Sequence, residues 1–217
     1  MSPQSQLHEQ DFGLIETMLW SKEQGFTLLE YHAARLSASA RSLDFNLNPV
    51  AFDAALAQAV QDLPSGSHFR VRAVLQRAGA INVTQTQIPE PAPGAFWRVA
   101  LAKTRFQSRW PLLRHKTTLR ALYEDEFAQA GQQGADEVLF LNEREELCEG
   151  ARCNVFVKRG SVLLTPALEC GLLPGTLRAQ YLKTGQAQEA VLAPADLTDA
   201  EWYMGNSVRG LVRAELI

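Results

Sequence analysis

The sequence predicts an α+β fold in two units, and three observations carry that prediction. Strand-like segments outnumber helical ones, which points to a mixed class. No regular βαβ alternation and no Gly-x-Gly-x-x-Gly turn runs through the chain, which argues against a doubly wound parallel sheet. The segment Pro89-Glu-Pro-Ala-Pro-Gly94 alternates prolines with small or acidic residues, stiffening the backbone and removing strand hydrogen bonds. It divides a small N-terminal α+β unit, residues 1–88, from a larger C-terminal unit, residues 95–217, across the linker 89–94.

Phe12–Trp20 and Phe26–Leu29 are apolar runs around the polar turn Ser21-Lys-Glu-Gln-Gly25, as in a hairpin. Tyr31–Leu43 reads as a helix, with Leu36 and Leu43 on one face and Arg35 beside them. Asn48-Pro49 supplies a cap and a proline for the first helical turn, and Phe52, Leu56 and Val60 then recur at helical spacing. Phe69–Leu75 and Ile81–Ile88 alternate as strands around Arg77-Ala-Gly-Ala80.

Beyond the linker, Trp97–Phe106 is strand-like, and Thr118–Ala130 reads as a helix closed by Gly131. Strands follow at Glu137–Leu141, Asn154–Lys158 and Ser161–Leu164, the last two joined by the Arg159-Gly160 turn. Leu177–Lys183 is a short helix entered through Leu173-Pro174-Gly175. Glu201–Met204 is a last strand leading into Gly205-Asn206-Ser207.

Composition narrows the function. At 217 residues and 24.0 kDa, 46% hydrophobic and 21% charged, the chain can bury a sizeable core and is not a disordered protein. Its 21 Lys and Arg against 24 Asp and Glu leave a net charge of −3, with no basic excess for nucleic acid. Apolar runs such as Val138–Leu141 and Val162–Leu164 are too short to cross a bilayer, so no membrane partner is expected. Met1–Gln10 is polar and carries no basic-then-apolar leader pattern. Cys148, Cys153 and Cys170 are odd in number and form no CxxC pair, which suits a reducing compartment. His8, His32, His68 and His115 form no HExxH and no zinc-spaced cluster, so no metal is expected. A cytoplasmic location follows as the expectation.

Four segments can carry chemistry. Lys116, in Arg114-His-Lys-Thr-Thr118, lies between a strand and a helix. Such lysines are usually solvated, but one held in a cleft can lose its proton and bond a carbonyl. Glu149 stands where an acidic run gives way to small residues. It reads as a loop end or as a carboxylate facing a buried cation or a pyridinium nitrogen. Gly171-Leu-Leu-Pro-Gly175-Thr-Leu-Arg178 opens a helix whose free N–H groups suit a phosphate. Gly205-Asn206-Ser207 adds small polar donors at a strand end.

Each segment is weak alone, but their order is informative. Lys116, then Glu149-x4-Asn154-Val-Phe156, then Thr165-Pro166, Gly171-Leu-Leu-Pro-Gly175-x-x-Arg178 and Asn206-Ser207, resembles the class IV aminotransferases. Leu14-Ile-Glu-Thr-Met18 and His32-x-x-Arg35-Leu-x-x-Ser39 are similar to that family's first strand and helix, so the resemblance runs from about Phe12 to Ala214.

The resemblance implies a two-domain pyridoxal-phosphate enzyme of fold type IV, like D-amino-acid aminotransferase, acting on an amino-acid-like small molecule as a homodimer. It implies that Lys116 forms the Schiff base with pyridoxal 5'-phosphate and that Glu149 pairs with the pyridine nitrogen. Arg35, the Thr176 and Leu177 N–H groups, Asn206 and Ser207 would hold the phosphate, and Asn154 belongs to the same cofactor-binding set. Arg72 would meet the substrate carboxylate, with Arg70 and Arg105 as competing positions. Transaminases of this family more often carry a tyrosine five residues after the lysine, where this chain has Ala121, and Tyr123 would serve near the substrate instead. Lys116-Thr-Thr-x-Arg120-x-x-Tyr123 and Asn206-Ser-Val-Arg-Gly210 look most like the aminodeoxychorismate lyases of folate biosynthesis. That reading leads, and a branched-chain or D-amino-acid aminotransferase with a 2-oxo acid acceptor is the alternative.

Overall fold

A computed structural model of the chain describes residues 12–90, 94 and 96–217, so residues 1–11, residues 91–93 of the expected linker and residue 95 lie outside the described part. The N-terminal half begins with the hairpin of β1 (Leu14–Ser21) and β2 (Gly25–Phe26). Helices α1 (Leu29–Leu43) and α2 (Pro49–Val60) follow, then strands β3 (His68–Leu75) and β4 (Ile81–Ile88). The four strands form an antiparallel sheet in the order β2-β1-β3-β4. As the Asn48-Pro49 pair predicts, Asn48 Oδ1 accepts from the Val50 and Ala51 N–H groups at 3.0 and 3.2 Å and caps α2.

Alternation along β1 and β3 decides what each face does. Leu14 and Met18 of β1 join Phe69, Val71, Ala73 and Leu75 of β3, and Leu36, Phe52 and Leu56 of the helices, in one apolar core. The opposite face turns Ile15, Thr17, Arg70 and Arg72 toward the cleft described below. Glu16 lies on the core side at 1% exposure, an expensive place for a carboxylate unless cations meet it there.

The second half contains β5 (Phe96–Phe106), α3 (Ala121–Gln132), β6 (Glu137–Asn142), β7 (Leu147–Gly150), β8 (Asn154–Arg159), β9 (Val162–Pro166), α4 (Thr176–Lys183), β10 (Ala187–Ala190), β11 (Trp202–Asn206) and β12 (Gly210–Leu216). The sheet order is β10-β9-β8-β11-β12-β5-β6-β7, and β7 also pairs with β8. That last pairing closes six strands into a ring, with β9 and β10 extending from β8. Val99, Leu139, Leu141, Val155, Val157 and Met204 belong to one core of this sheet. Ala100, Ala102, Phe106, Val138 and Phe140 form another, with Ala130, Phe127 and Tyr123 of α3 packed on it.

The structure revises one expected helix at both ends and adds three strands. The helix expected at Thr118–Ala130 starts at Ala121, because Thr118 is held by Gly13, the residue before β1: its N–H donates to Gly13 O at 2.9 Å and its Oγ1 accepts from Gly13 N at 3.0 Å. The same helix runs through Gly131 to Gln132, and the left-handed residue beyond it is Gly134, at φ +80°. Strands β7, β10 and β12 were not anticipated from the sequence, and β7 is the one that carries Glu149. Among the described residues no helix is long and apolar enough to cross a membrane.

Candidate active site

A cleft of about 570 Å³ opens between the two sheets, and it gathers residues from both. Lys116 reaches it from the segment before α3, Glu149 from β7, Arg35 from α1, Thr176 and Leu177 from the start of α4, and Ser207 from the turn after β11. The lysine segment is fixed to the first sheet by its backbone. Ile15 N donates to Lys116 O at 2.7 Å, and Leu14 and Thr117 form an antiparallel bridge. Chemistry on the second half is thereby registered against the first.

Lys116 is half-buried by surface but crowded by cationic neighbours. Burial, then the charges of Arg120 and Arg35, lowers its amine to about 7 against the opposing pull of Glu16 and Glu149. Glu149 is buried at 4% exposure. Its Oε2 accepts from the Leu173 N–H at 3.1 Å and its Oε1 from the Tyr123 hydroxyl at 2.9 Å. Burial raises its carboxyl to about 7 despite those donors and the charges of Arg120 and Lys116.

A buried network lies under the mouth of α4. Glu16 receives Nε and Nη2 of Arg35 at 3.0 and 2.6 Å and pairs with His32 Nδ1 at 2.5 Å. Burial would raise the Glu16 carboxyl, but Arg35 and the hydrogen bonds from His32 and Arg35 bring it down to about 2. Burial holds the His32 ring below its ordinary value even against the pull of Glu16. The ring's Nε2 meets Ser207 Oγ at 3.0 Å and Thr176 Oγ1 at 3.2 Å. One ionised carboxylate therefore orients Arg35 directly, and two hydroxyls through His32. Arg35 Nη1 also donates to Pro174 O at 3.2 Å, so the guanidinium is fixed beside the helix entrance.

That entrance is shaped by a close approach. Among the described residues no side chain caps α4, which leaves its first N–H groups to meet an anion. A Cβ on Gly175 would overlap Asn154 Oδ1, whose amide is anchored by Nδ2 donating to Leu173 O at 3.1 Å. Only glycine lets the turn lie against Asn154.

The expected site residues are placed as follows. Lys116, Arg35, Glu149, Asn154, Thr176, Leu177, Asn206, Ser207, Arg72 and Tyr123 all line the cleft. Two differ in their bonding from the expectation. Asn206 gives its amide to Arg152 O at 3.2 Å and Cys153 Sγ at 3.1 Å, and its Oδ1 accepts from Val208 and Arg209 N–H at 2.9 Å. Its side chain therefore shapes the turn that presents Ser207 and is not a free donor. Tyr123 gives its hydroxyl to Glu149. Among the competing arginines, Arg70 lines the cleft beside Arg72, whereas Arg105 is outside the lining and pairs with Glu145 at 2.7 Å.

Sequence reasoning left Glu16, His32 and Arg120 out of the site. A carboxylate at an inward strand position, with His32 and Arg35 three residues apart on the next helix, is the signal that finds the first two.

The amino-transferase class IV family profile matches residues 13–217. The chain belongs to the class IV aminotransferases. These are the pyridoxal-phosphate enzymes that its motifs resemble, and the fold is theirs. A provisionally named aminodeoxychorismate lyase of Schizosaccharomyces pombe is 29% identical over 215 residues, covering 96% of this chain and 91% of that protein. The structure of a provisionally named amino-acid aminotransferase from Mesorhizobium loti is 41% identical, with TM-score 0.91 over 95% of this chain and 100% of the other. The PLP-bound form of a hypothetical aminotransferase from Mycobacterium tuberculosis shares the fold at TM-score 0.81 and 23% identity, covering 94% of this chain and 81% of that one.

The residues present fit the class IV cofactor. A lysine amine with lowered basicity, a buried carboxylate and a guanidinium beside an uncapped helix start face one cleft, as an aldehyde, a ring nitrogen and a phosphate require.

Proposed function

We propose that this class IV enzyme acts as an aminodeoxychorismate lyase, releasing pyruvate and leaving 4-aminobenzoate. The observation that carries the reading is the pair Arg70 and Arg72 on one strand, both lining the cleft that holds Lys116. Arginine's planar fork suits carboxylates. Two such forks fit a substrate that carries one carboxylate on the ring and another on the enolpyruvyl ether. The lyase-like Lys116-Thr-Thr-x-Arg120 and Asn206-Ser-Val-Arg-Gly210 segments and the fission-yeast relative support it.

Pyridoxal phosphate, when bound, supplies an aldehyde for the substrate amine and a ring that accepts electrons from the adjacent carbon. Lys116 attaches the cofactor and moves the proton at that carbon, a task suited to an amine poised near neutrality. Glu149 holds a proton at the ring nitrogen from its fixed place on β7. Arg35 and the N–H groups of Thr176 and Leu177 hold the phosphate, with Ser207 beside them. Arg72 orients the substrate carboxylate, with Arg70 next to it on the same face. The family resemblance implies a homodimer, and Trp110, an exposed aromatic at the cleft, suits a covered position there.

The lowered Lys116 amine gives a first expected result. Only the neutral amine attacks an aldehyde, so cofactor uptake by the apoprotein should quicken roughly tenfold per pH unit below neutrality. It should level off above about 7, where an ordinary lysine would still be charged. Stopped-flow absorbance between pH 5.5 and 9 reads this, and a profile still climbing steeply at pH 9 contradicts the assignment.

The M. loti neighbour makes amino-acid transamination the second reading. Supplying aminodeoxychorismate alone separates the two. A lyase releases pyruvate with no 2-oxo acid present, turnover after turnover, whereas a transaminase stops once its cofactor has taken the amino group. Sustained conversion of branched-chain or D-amino acids with 2-oxoglutarate, and no pyruvate from aminodeoxychorismate, rejects the lyase assignment.

A further inference from the structure

We propose that Tyr123 is a positioning residue for Glu149, and that this phenol–carboxylate pair on α3 and β7 governs how firmly the cofactor's ring nitrogen keeps its proton. The inference rests on the cofactor reading above but concerns a residue that the family pattern places nearer the substrate. Three observations carry it.

The first is commitment. The Tyr123 hydroxyl donates to Glu149 Oε1 at 2.9 Å, while the Leu173 N–H takes Oε2 at 3.1 Å. One fixed donor on each oxygen sets the rotation of the carboxylate and leaves one remaining lone-pair direction on each.

The second is restraint on the ring itself. Phe106 and Phe140 stack at 4.5 Å, and Tyr123 packs on both, at 5.3 Å from Phe106 and edge-on at 5.2 Å from Phe140. The Arg120 guanidinium covers the ring 4.6 Å from its centroid and is itself tied to Ala151 O. The hydroxyl has little freedom to find another partner.

The third is protonation. Burial, then the Glu149 charge and hydrogen bond, pushes the phenol far above its ordinary range, so Tyr123 stays a neutral donor at every working pH. A donor to the ionised form lowers the proton affinity of Glu149. The charged and titratable groups around this carboxylate are Lys116 and Arg120 from the segment before α3, Tyr123 on α3, and Cys148 next to it on β7. Of these, Tyr123 is the one that touches it through a side-chain hydrogen bond among the described residues.

The test is Tyr123→Phe in the cofactor-loaded enzyme, which keeps the aromatic packing and deletes only the donor. Glu149 then holds its own proton more tightly, so the acid limb of kcat/KM should move up by about one pH unit. At pH 6 the variant should be roughly tenfold slower, and at pH 9 within about twofold of the native enzyme. With ring-nitrogen-labelled cofactor, the ¹⁵N resonance should move toward the unprotonated position at pH 8. A purely structural role would lower the melting temperature and leave both the ¹⁵N shift and the limb in place, which overturns the proposal. An unchanged variant overturns it equally. If the native protein takes up no cofactor at all, the cofactor reading falls first and this inference with it.

Discussion

Lys116→Ala is expected to lower turnover by about 10⁴-fold or more, because the same amine attaches the cofactor and moves the substrate proton. The structure makes this residue-specific. The other lysines, Lys22, Lys103, Lys158 and Lys183, stand outside the cleft lining, so none can substitute from its present position. Borohydride reduction of the loaded native protein should leave the cofactor on the peptide containing Lys116, and the alanine variant should yield no such peptide. Cofactor recovered on another lysine would remove Lys116 from its assigned place. The fold should survive the change. The segment is held to β1 through the Lys116 carbonyl and to Gly13, just before β1, through the Thr118 backbone and hydroxyl, none of which the substitution alters.

The local elements were legible wherever short-range chemistry decides them. The turn at Ser21–Gly25, the Asn48 cap and the helices of the first half depend on turn residues and apolar spacing, and they lie close to where the sequence places them, although the second arm of the hairpin is Gly25–Phe26 and Leu29 of the expected Phe26–Leu29 run opens α1 instead. The site was legible as an ordered set of motifs, and those residues do line one cleft. What escaped was decided by tertiary pairing. β7 is four residues long and buried throughout, because it closes the ring between β6 and β8, so it shows neither alternation nor length. Glu149 consequently looked like a loop carboxylate. Thr118 looked helical because its contacts with Gly13 lie 105 residues away. Asn206 looked like an anion donor because sequence shows a side chain's type and not what its amide already touches.

Glu149→Gln is expected to keep the fold and the cofactor while losing about 10²–10⁴ of the turnover. The amide matches the carboxylate in shape. Its oxygen can accept from the Leu173 N–H, and its NH₂ can donate to Tyr123, whose hydroxyl accepts as well as donates. What it cannot do is hold a proton at the ring nitrogen, so the ring becomes a poorer acceptor of electrons while Lys116 still attaches it. Linkage supplies an independent control on the empty protein. The Glu149 carboxyl is raised in the folded state to about 7, so its protonated form is favoured there. Its contribution to stability is full below the ordinary carboxyl range and is lost as pH rises toward about 7. Glutamine has no such titration, so above neutrality the variant should melt no lower than the native apoprotein. Borohydride should still fix cofactor on Lys116 in the variant. Slow turnover together with intact attachment and an undiminished melting temperature assigns the loss to the missing negative charge on β7. Turnover close to native would remove Glu149 from the mechanism, and with it the reason for burying a carboxylate on that strand.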